Sequence, residues 1–483
     1  MRSCRWFGAL LAIAAAMGSA EARLRDDGPQ SPRHEAAMLA GYKALYTCSG
    51  LFSAGLTPEM VTRDAMLGRG SRTDLLLKLT TRVDEQRKLV TVEYLPDMPP
   101  RVAAWRPYLG CAQLPIGAPL EAIDGLPRLP EDFSAPNFDS QDWPQGDRNA
   151  TVRLPRRQAA ALDKVVEAAF VNEVYGGVTW GVIVVSGGKI VAERYERGYD
   201  MHKLQRTHSA AKSVAATLIG IAVRDKLLRL DEPAPIPEWR KPYDPRARIT
   251  LNNLLQMSSG LYTEAAGNPQ QEIYLSGAAV AERSAGNLID ALPGTRMVYA
   301  GSDTLLAIRA LRTVLNDDAR YLQFPFRELF WKIGMTRTFP ETDWNGDYLL
   351  SGQMYSTARD LARFGLLYLN DGVWNGERIL PEGWTKYVAT PAPAQPAGSW
   401  ADPRCEGACD KLGYGAQFWL AGPKQGLPEG SYSVRGGRGQ FVMIVPSRNV
   451  VIVRRGTDGA DGARTSFDMQ KFSADVLAAL ERR

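Results

Sequence analysis

Histidine is nearly absent from this sequence: 483 residues contain only His34, His202 and His208. A Ser-His-Asp triad needs a histidine brought to the serine from elsewhere in the fold. His34 sits in a polar stretch near the start, His208 directly precedes Ser209 where its side chain points away along a helix start, and no G-x-S-x-G elbow occurs. Zinc hydrolysis lacks its residues too. There is no H-E-x-x-H, and Cys405 and Cys409 have no second cysteine or histidine pair at ligand spacing. No metal and no organic cofactor is implied. The formal net charge is only +5 and the basic residues are scattered, so nucleic acid is not an expected partner. No long apolar run exists either. The longest, Trp6 to Ala16, falls short of the roughly 20 residues of a membrane span.

That short run has another reading. Arg2 and Arg5 precede it and Ala20-Glu21-Ala22 follows it, the pattern of a secretory signal over residues 1–22. A periplasmic or secreted protein is expected, with no stable membrane anchor after cleavage. Cys4 lies before the apolar core, outside any lipidation position. Four cysteines remain, and an even count in an exported chain suggests disulfides. Proximity and region pair Cys48 with Cys111 and Cys405 with Cys409.

What is present is Ser209-Ala210-Ala211-Lys212, opening an apolar, proline-free run from Ser213 to Lys226. Val214, Leu218, Ile221 and Ala222 recur at helical spacing. Positions i and i+3 share a helix face, so Lys212 can reach the Ser209 oxygen. A serine hydroxyl becomes a useful nucleophile when a neighbouring base takes its proton. Burial and the helix dipole would both disfavour the lysine ammonium and supply that base. A second S-x-x-K match, Ser186 to Lys189, falls on a hairpin turn between two β-rich runs, where the pair has no fixed geometry.

Two regions follow the signal. Residues 23–157 form an amino-terminal extension, with a helical run at 35–46 and strands at 75–83 and 88–95. Prolines then recur between Pro96 and Pro144, which excludes long helix or central strand and predicts an extended wrapping segment. Residues 158–483 form the second region. It has a helix at 159–172, a hairpin at 178–195, the Ser209 helix, strands at 439–445 and 450–454, and a helix at 467–481. The expected class is α+β, an antiparallel sheet flanked by helices.

The second region resembles the serine β-lactamase and penicillin-binding-protein superfamily, in its class C β-lactamase-like branch with esterases and 6-aminohexanoate-dimer hydrolases. The resemblance rests on THSAAKS (207–213), ITLNNLLQMSSGL (249–261), PGTRMVYAGSDTLL (293–306), STARDLARFGLLYLNDGVWNGERILP (356–381) and GGRGQFVMIVPSRNVVIV (436–453). It implies a β-lactamase-like sheet with an inserted all-helical lobe. Position by position it makes Ser209 the acylated nucleophile, Lys212 its partner and Tyr299 a proton relay. It places the oxyanion hole at the Ser209 and Gln440 amides.

Two departures stand out. Gly301 occupies the third position of the tyrosine element, with Ser302 beside it as a substitute. Gly437-Arg438-Gly439 replaces the K-T-G or H-x-G element, so Arg438 or Arg435 would have to supply the lost charge. Asp303 is shared with the 6-aminohexanoate-dimer hydrolases, though helix capping explains it equally well. Tyr262 and Tyr274 are candidates to line the substrate; Arg359 and Asp360 read as a structural ion-pairing pair. The expectation is an exported serine hydrolase acting on an ester or amide of a small molecule or short peptide. The alternatives are a D,D-carboxypeptidase or β-lactamase, and a non-catalytic cell-wall binder on the same fold. No oligomeric state is implied.

Overall fold

The computed structural model describes residues 32–67, 72–263, 274–459 and 466–482; the signal reading at 1–22 lies outside them. Helix α1 (Pro32–Cys48) buries Ala37, Ala40, Ala44, Leu45 and Cys48, a stripe at helical spacing. The stripe packs on an antiparallel sheet whose strands stand in chain order. They are β1 (Thr81–Asp84), β2 (Leu89–Val92), β3 (Arg101–Arg106) and β4 (Gly110–Gln113). Val90, Val92 and Ala103 close the small core under the helix. The Cys48–Cys111 disulfide staples the end of α1 to β4, with Cα atoms 6.1 Å apart.

Two expectations for this region change. The strand expected at 75–83 is a helix over Arg72–Lys78 followed by β1. Of Leu75, Leu76 and Leu77 only Leu76 is buried. The Lys43 ammonium donates to the carbonyls of Leu76 (2.6 Å) and Leu79 (2.8 Å), satisfying a helix end that α1 lies against. The proline-rich stretch does hold an interior strand, because Pro100 and Pro107 bracket β3 and leave its six residues with every N–H. Beyond Pro115 the chain wraps, with Arg363 donating to the carbonyls of Pro144 and Gly146 at 2.7 Å.

The larger unit opens with α2 (Arg156–Ala168), β5 (Val178–Ser186), β6 (Lys189–Tyr195), β7 (Gln205–Arg206) and α3 (Ala211–Arg224). It continues through α4 (Gly301–Leu315), β8 (Thr338–Pro340), β9 (Met354–Ser356), α5 (Ala358–Leu369) and the hairpin β10 (Val373–Trp374) and β11 (Glu377–Arg378). It closes with β12 (Gly413–Tyr414), β13 (Trp419–Ala421), β14 (Ser431–Gly436), β15 (Gln440–Val445), β16 (Val450–Thr457) and α6 (Met469–Leu480). Seven strands form one antiparallel sheet in the order β12-β13-β14-β15-β16-β5-β6. Alternation assigns its faces. Val182, Val184, Met443 and Ile452 meet α2 and α6, while Ile183, Val442, Ile444 and Val451 meet α3 and α5. Gly365 of α5 lets the helix close on the sheet, since a Cβ there would lie 2.5 Å from Val451. The chain between β6 and β12 is chiefly helical; its α3 and α5 cover one face of the large sheet, and it also contributes the small sheet β7-β9-β8. The second disulfide, Cys405–Cys409, closes a short loop before β12.

Buried charges tie these parts together. Arg455, fully buried, donates to Gln440 Oε1 (2.8 Å), the Ser356 carbonyl (2.9 Å) and the carbonyls of Gln205 (2.9 Å) and Arg206 (3.1 Å). It thereby joins the large sheet to the three-stranded sheet β7-β9-β8. Burial, with Arg454 nearby, lowers its pKa to about 9, which still leaves it charged at neutral pH. Arg359 clasps Glu193 (2.7 Å), and Asp360 takes Arg363 (3.0 Å) and the Thr338 hydroxyl (2.8 Å), so both act structurally.

The extension docks through Glu341, also fully buried. Its carboxylate accepts from Ser49 Oγ (2.8 Å), Ser53 Oγ (3.2 Å) and the Cys111 amide (2.9 Å). Gly110, at φ +59°, makes room: a Cβ there would fall 2.5 Å from Glu341.

Cys48 and Cys111 are 63 residues apart, so their cross-link should contribute about 4 kcal/mol by limiting the unfolded chain. Replacing both by serine should make residues 49–110 protease-sensitive before the rest. Equal melting and equal cleavage of wild type and variant would contradict that contribution.

Candidate active site

Strand β7 delivers the chain into a single 3₁₀ turn, His208–Ala210, that feeds α3. Thr207 anchors the approach, its amide donating to the Met354 carbonyl at 2.8 Å. His208 takes φ +50°, a left-handed kink that sets Ser209 at the mouth of the helix. Ser209 is half-buried, whereas Lys212, three residues on, is 3% exposed. The Lys212 ammonium lies 3.1 Å from Ser209 Oγ and 2.5 Å from the Ser351 carbonyl. Among the described residues no carboxylate pairs with it. Burial lowers its pKa to about 7, and the Arg206 cation adds to the effect.

Tyr299 stands two residues before α4, and its ring lies 5.0 Å from Lys212 Nζ. Tyr414 and Trp419, on β12 and β13, wall the ring at 6.1 and 5.5 Å. Burial pushes its hydroxyl up to about 12, against a hydrogen bond with Ser209 that pulls the other way. Tyr299 is therefore a protonated donor at neutral pH, and Lys212 is the group of the pair that titrates there. Both engage the Ser209 hydroxyl.

The substitute elements differ from the expectation. A Cβ on Gly301 would lie 3.0 Å from the Tyr274 hydroxyl and 3.4 Å from Ser351 Oγ, and these two groups hydrogen-bond to each other. Tyr274 and Ser351 thus occupy the space a larger third residue would fill. Ser302, the expected substitute, is 1% exposed, and its Oγ has no hydrogen-bond partner among the described residues. Tyr262 is exposed at the surface.

Gly437, Arg438 and Gly439 form the turn between β14 and β15. The backbone that closes on the nucleophile turn is at Gly436 and Gly437. A Cβ on Gly436 would fall 2.0 Å from the Thr207 carbonyl, and one on Gly437 would lie 3.8 Å from His208. Gln440 is instead the ladder partner of Gly436, and its side chain is committed to Arg455 and the Gly456 carbonyl. These contacts occupy the Gln440 side chain and leave its backbone amide as the candidate for the second oxyanion donor. Gly439 backs onto Arg454, away from Ser209. Arg438 donates to Thr457 Oγ1 at 3.0 Å. Arg435 lies over Phe441, 5.0 Å from its ring, on the sheet face that α2 and α6 cover.

Asp303, pushed up to about 7 by burial, accepts from Ser259 Oγ at 2.8 Å and ties α4 to the loop after Leu255. Gln417 gave no signal in the sequence, yet it joins four segments. Its carbonyl accepts from Ser213 Oγ (2.7 Å), its Oε1 from Thr304 Oγ1 (2.9 Å), and its Nε2 donates to the Leu255 carbonyl (2.9 Å). It locks the Ser209 helix to the Tyr299 helix beside the turn that carries Tyr414 and Trp419. Ser186 and Lys189 face each other across the β5–β6 turn as ladder partners. Among the described residues no group of three or more His, Cys, Asp or Glu side chains could hold a metal ion.

The Beta-lactamase family model matches residues 163–455, more than half of the chain. The 6-aminohexanoate-dimer hydrolase of Paenarthrobacter ureafaciens is 26% identical over 298 residues, covering 56% of this chain and 71% of that protein. Among solved structures, a Bacillus anthracis protein titled as a 6-aminohexanoate-dimer hydrolase superposes with a TM-score of 0.53 at 22% identity, covering 74% of this chain and 89% of its own. A family VIII carboxylesterase gives 0.50 at 15% identity, covering 68% and 98%. The chain therefore belongs to the beta-lactamase family and is a serine hydrolase of that fold.

Proposed function

We propose that the protein is an exported acyl-enzyme hydrolase that cleaves an ester or amide bond in a small molecule or short peptide. The observation that carries this reading is Lys212, buried with no carboxylate partner among the described residues and 3.1 Å from the Ser209 hydroxyl. A free amine at that point is a base for the serine proton. Oγ of Ser209 bonds to the substrate carbonyl carbon as its proton passes to Lys212. The developing oxyanion is held by the Ser209 and Gln440 amides. The bond to the leaving oxygen or nitrogen then breaks as Tyr299 donates a proton to it, and the Lys212 ammonium reprotonates Tyr299. Water attacks the acyl carbon, giving its proton to Lys212, and the acid leaves as Ser209 regains its hydrogen. The net change is hydrolysis of one bond by one water.

The similarity to proteins named 6-aminohexanoate-dimer hydrolase and carboxylesterase supports an amide or ester of modest size. The absent Lys or His at Gly437-Arg438-Gly439 weighs against a penicillin or a cell-wall peptide, whose carboxylate that group would hold. Export rests on the signal pattern and agrees with two disulfides.

Intact mass spectrometry with a fluorophosphonate should show one adduct on wild type and none on Ser209→Ala. An unlabelled, well-folded wild type would sink the acyl-enzyme reading. The rate should rise with pH through about 7 as Lys212 loses its proton; a profile flat across that range would exclude it as the base. Tyr299→Phe should lower kcat by roughly 10²–10³-fold at unchanged fold, read from turnover of a nitrophenyl ester and from circular dichroism.

Lys212 also sets a stability window. Its folded pKa of about 7 lies below the ordinary 10.5, so between those values the unfolded chain binds the extra proton and stability increases with pH. At pH 7 the burial costs on the order of 4 kcal/mol. Lys212→Met should abolish labelling, flatten that slope, and leave Tm at pH 7 unchanged or higher. A large fall in Tm would mean that the ammonium's hydrogen bonds outweigh its desolvation.

A further inference from the structure

Residues 351–353, which lead into β9, tie the catalytic lysine to the amino-terminal extension. The Ser351 carbonyl accepts from the Lys212 ammonium at 2.5 Å. The next carbonyl, that of Gly352, accepts from Arg206 Nε at 3.1 Å. The next side chain, Gln353, donates Nε2 to the Tyr46 hydroxyl at 3.5 Å. The Arg206 guanidinium closes the circuit, 4.3 Å from the centre of the Tyr46 ring.

Both ends of this circuit are fixed. Tyr46 is buried on α1, packs on the Tyr42 ring at 4.3 Å, and stands two residues before the Cys48 that the disulfide holds to β4. Arg206 ends β7, three residues before Ser209, and is the ladder partner of Tyr355 on β9. Tyr46 lies outside residues 163–455, which the family model matches, so this hold on the guanidinium is an addition of this chain. Two cations on adjacent carbonyls repel. A guanidinium keeps its proton more tightly than an ammonium, so Lys212 is the one that relieves the repulsion by losing a proton.

The groups around the pair are largely committed elsewhere. Glu341 faces Arg206, but it accepts from Ser49, Ser53 and the Cys111 amide, and burial pushes its carboxyl up. Asp64 and Arg438 line the same small cleft as Arg206; the first pairs with Arg63 and the second donates to Thr457. Burial pushes the hydroxyls of Tyr274, Tyr299 and Tyr355 up, so these phenols stay neutral. Arg455 bonds the Arg206 carbonyl and titrates only near 9. Two other side chains belong to the neutral window. Asp303, pushed up to about 7 by burial, is tied to Ser259. Histidine as a type titrates there too, and His208 lies toward Gly437.

We propose that the amino-terminal extension is a working part of the catalytic site: Tyr46 and Gln353 hold Arg206 as a positioning residue whose charge bears on the Lys212 amine. This rests on the acyl-enzyme reading above. With Arg206 in place the free amine is favoured. Without it Lys212 keeps its proton to higher pH, and the rise in rate moves the same way.

The experiment follows kcat/KM for para-nitrophenyl acetate and the rate of fluorophosphonate labelling against pH, on the full chain, with circular dichroism as the control for folding. Wild type should rise through about 7. Arg206→Gln should move that midpoint up by about one pH unit and lower the rate at pH 7 by about five-fold, the wild-type limiting rate returning at higher pH. Tyr46→Leu should move it the same way by less, because the guanidinium is released rather than removed. Arg206→Lys keeps a charge and should shift the midpoint less than Arg206→Gln does; Tyr46→Phe keeps the ring and should leave it in place. A midpoint unmoved in Arg206→Gln, or a rate lowered at every pH without a shift, would assign Arg206 to the fold alone and overturn the proposal. Equal shifts in Arg206→Gln and Arg206→Lys would overturn it too, and so would loss of the rise in His208→Asn or Asp303→Asn. An unmoved Tyr46→Leu midpoint beside a shifted Arg206→Gln one would overturn the part given to the extension. A wild type neither labelled nor active on the ester would overturn the acyl-enzyme reading itself, and this proposal with it.

Discussion

The buried ammonium of Lys212, with no carboxylate against it among the described residues, is the constraint around which the rest is arranged. A lysine in an apolar helix is destabilising, and only neighbouring carbonyl and hydroxyl oxygens offset it. Ser351 and Ser209 supply them. Because burial and the Arg206 cation both disfavour the charge, the free amine becomes accessible near neutral pH. An acid placed beside it would have steadied the fold and removed the base. The stability forgone is the chemical potential the site uses, as expected where active residues are held in poorly solvated positions.

Holding that ammonium within reach of Ser209 takes rigid support from several directions. Arg455 secures the strand that leads into the nucleophile turn by bonding its carbonyls directly. Gln417 secures the helix behind Lys212 to the helix that presents Tyr299. Gly436 permits the end of β14 to touch Thr207 without a side chain between them. These are three different solutions to one requirement, that a reacting hydroxyl be held to within a fraction of an ångström. None involves a residue that touches the reaction.

Much of this was legible from the chain. The Ser209 helix, the hairpin after Gly177 and the final helix are long, strongly patterned elements whose faces meet one continuous core, so local periodicity and tertiary burial agree. The departures have local causes. Leu75-Leu76-Leu77 reads as a strand because three leucines in a row carry no period, and only contact with Lys43 and α1 makes the segment helical. The interior strand at Arg101–Arg106 hides among prolines because its six residues fit between them. At the site, the S-x-x-K pair and the tyrosine were visible as chemistry. Gln417 and the Tyr274–Ser351 pair were not, since an amide in a turn and two hydroxyls 77 residues apart have no signature until folding brings them together.

Glu341 has a consequence for how the chain is made. It is separated from Ser49 by 292 residues, yet it is the acceptor those serine hydroxyls and the Cys111 amide share. During synthesis from the amino terminus the extension emerges early with a polar vacancy at its centre. It waits for a carboxylate that leaves the ribosome after the nucleophile, its lysine and its tyrosine. The extension, made before the hydrolase region, is therefore among the last parts whose interior is completed.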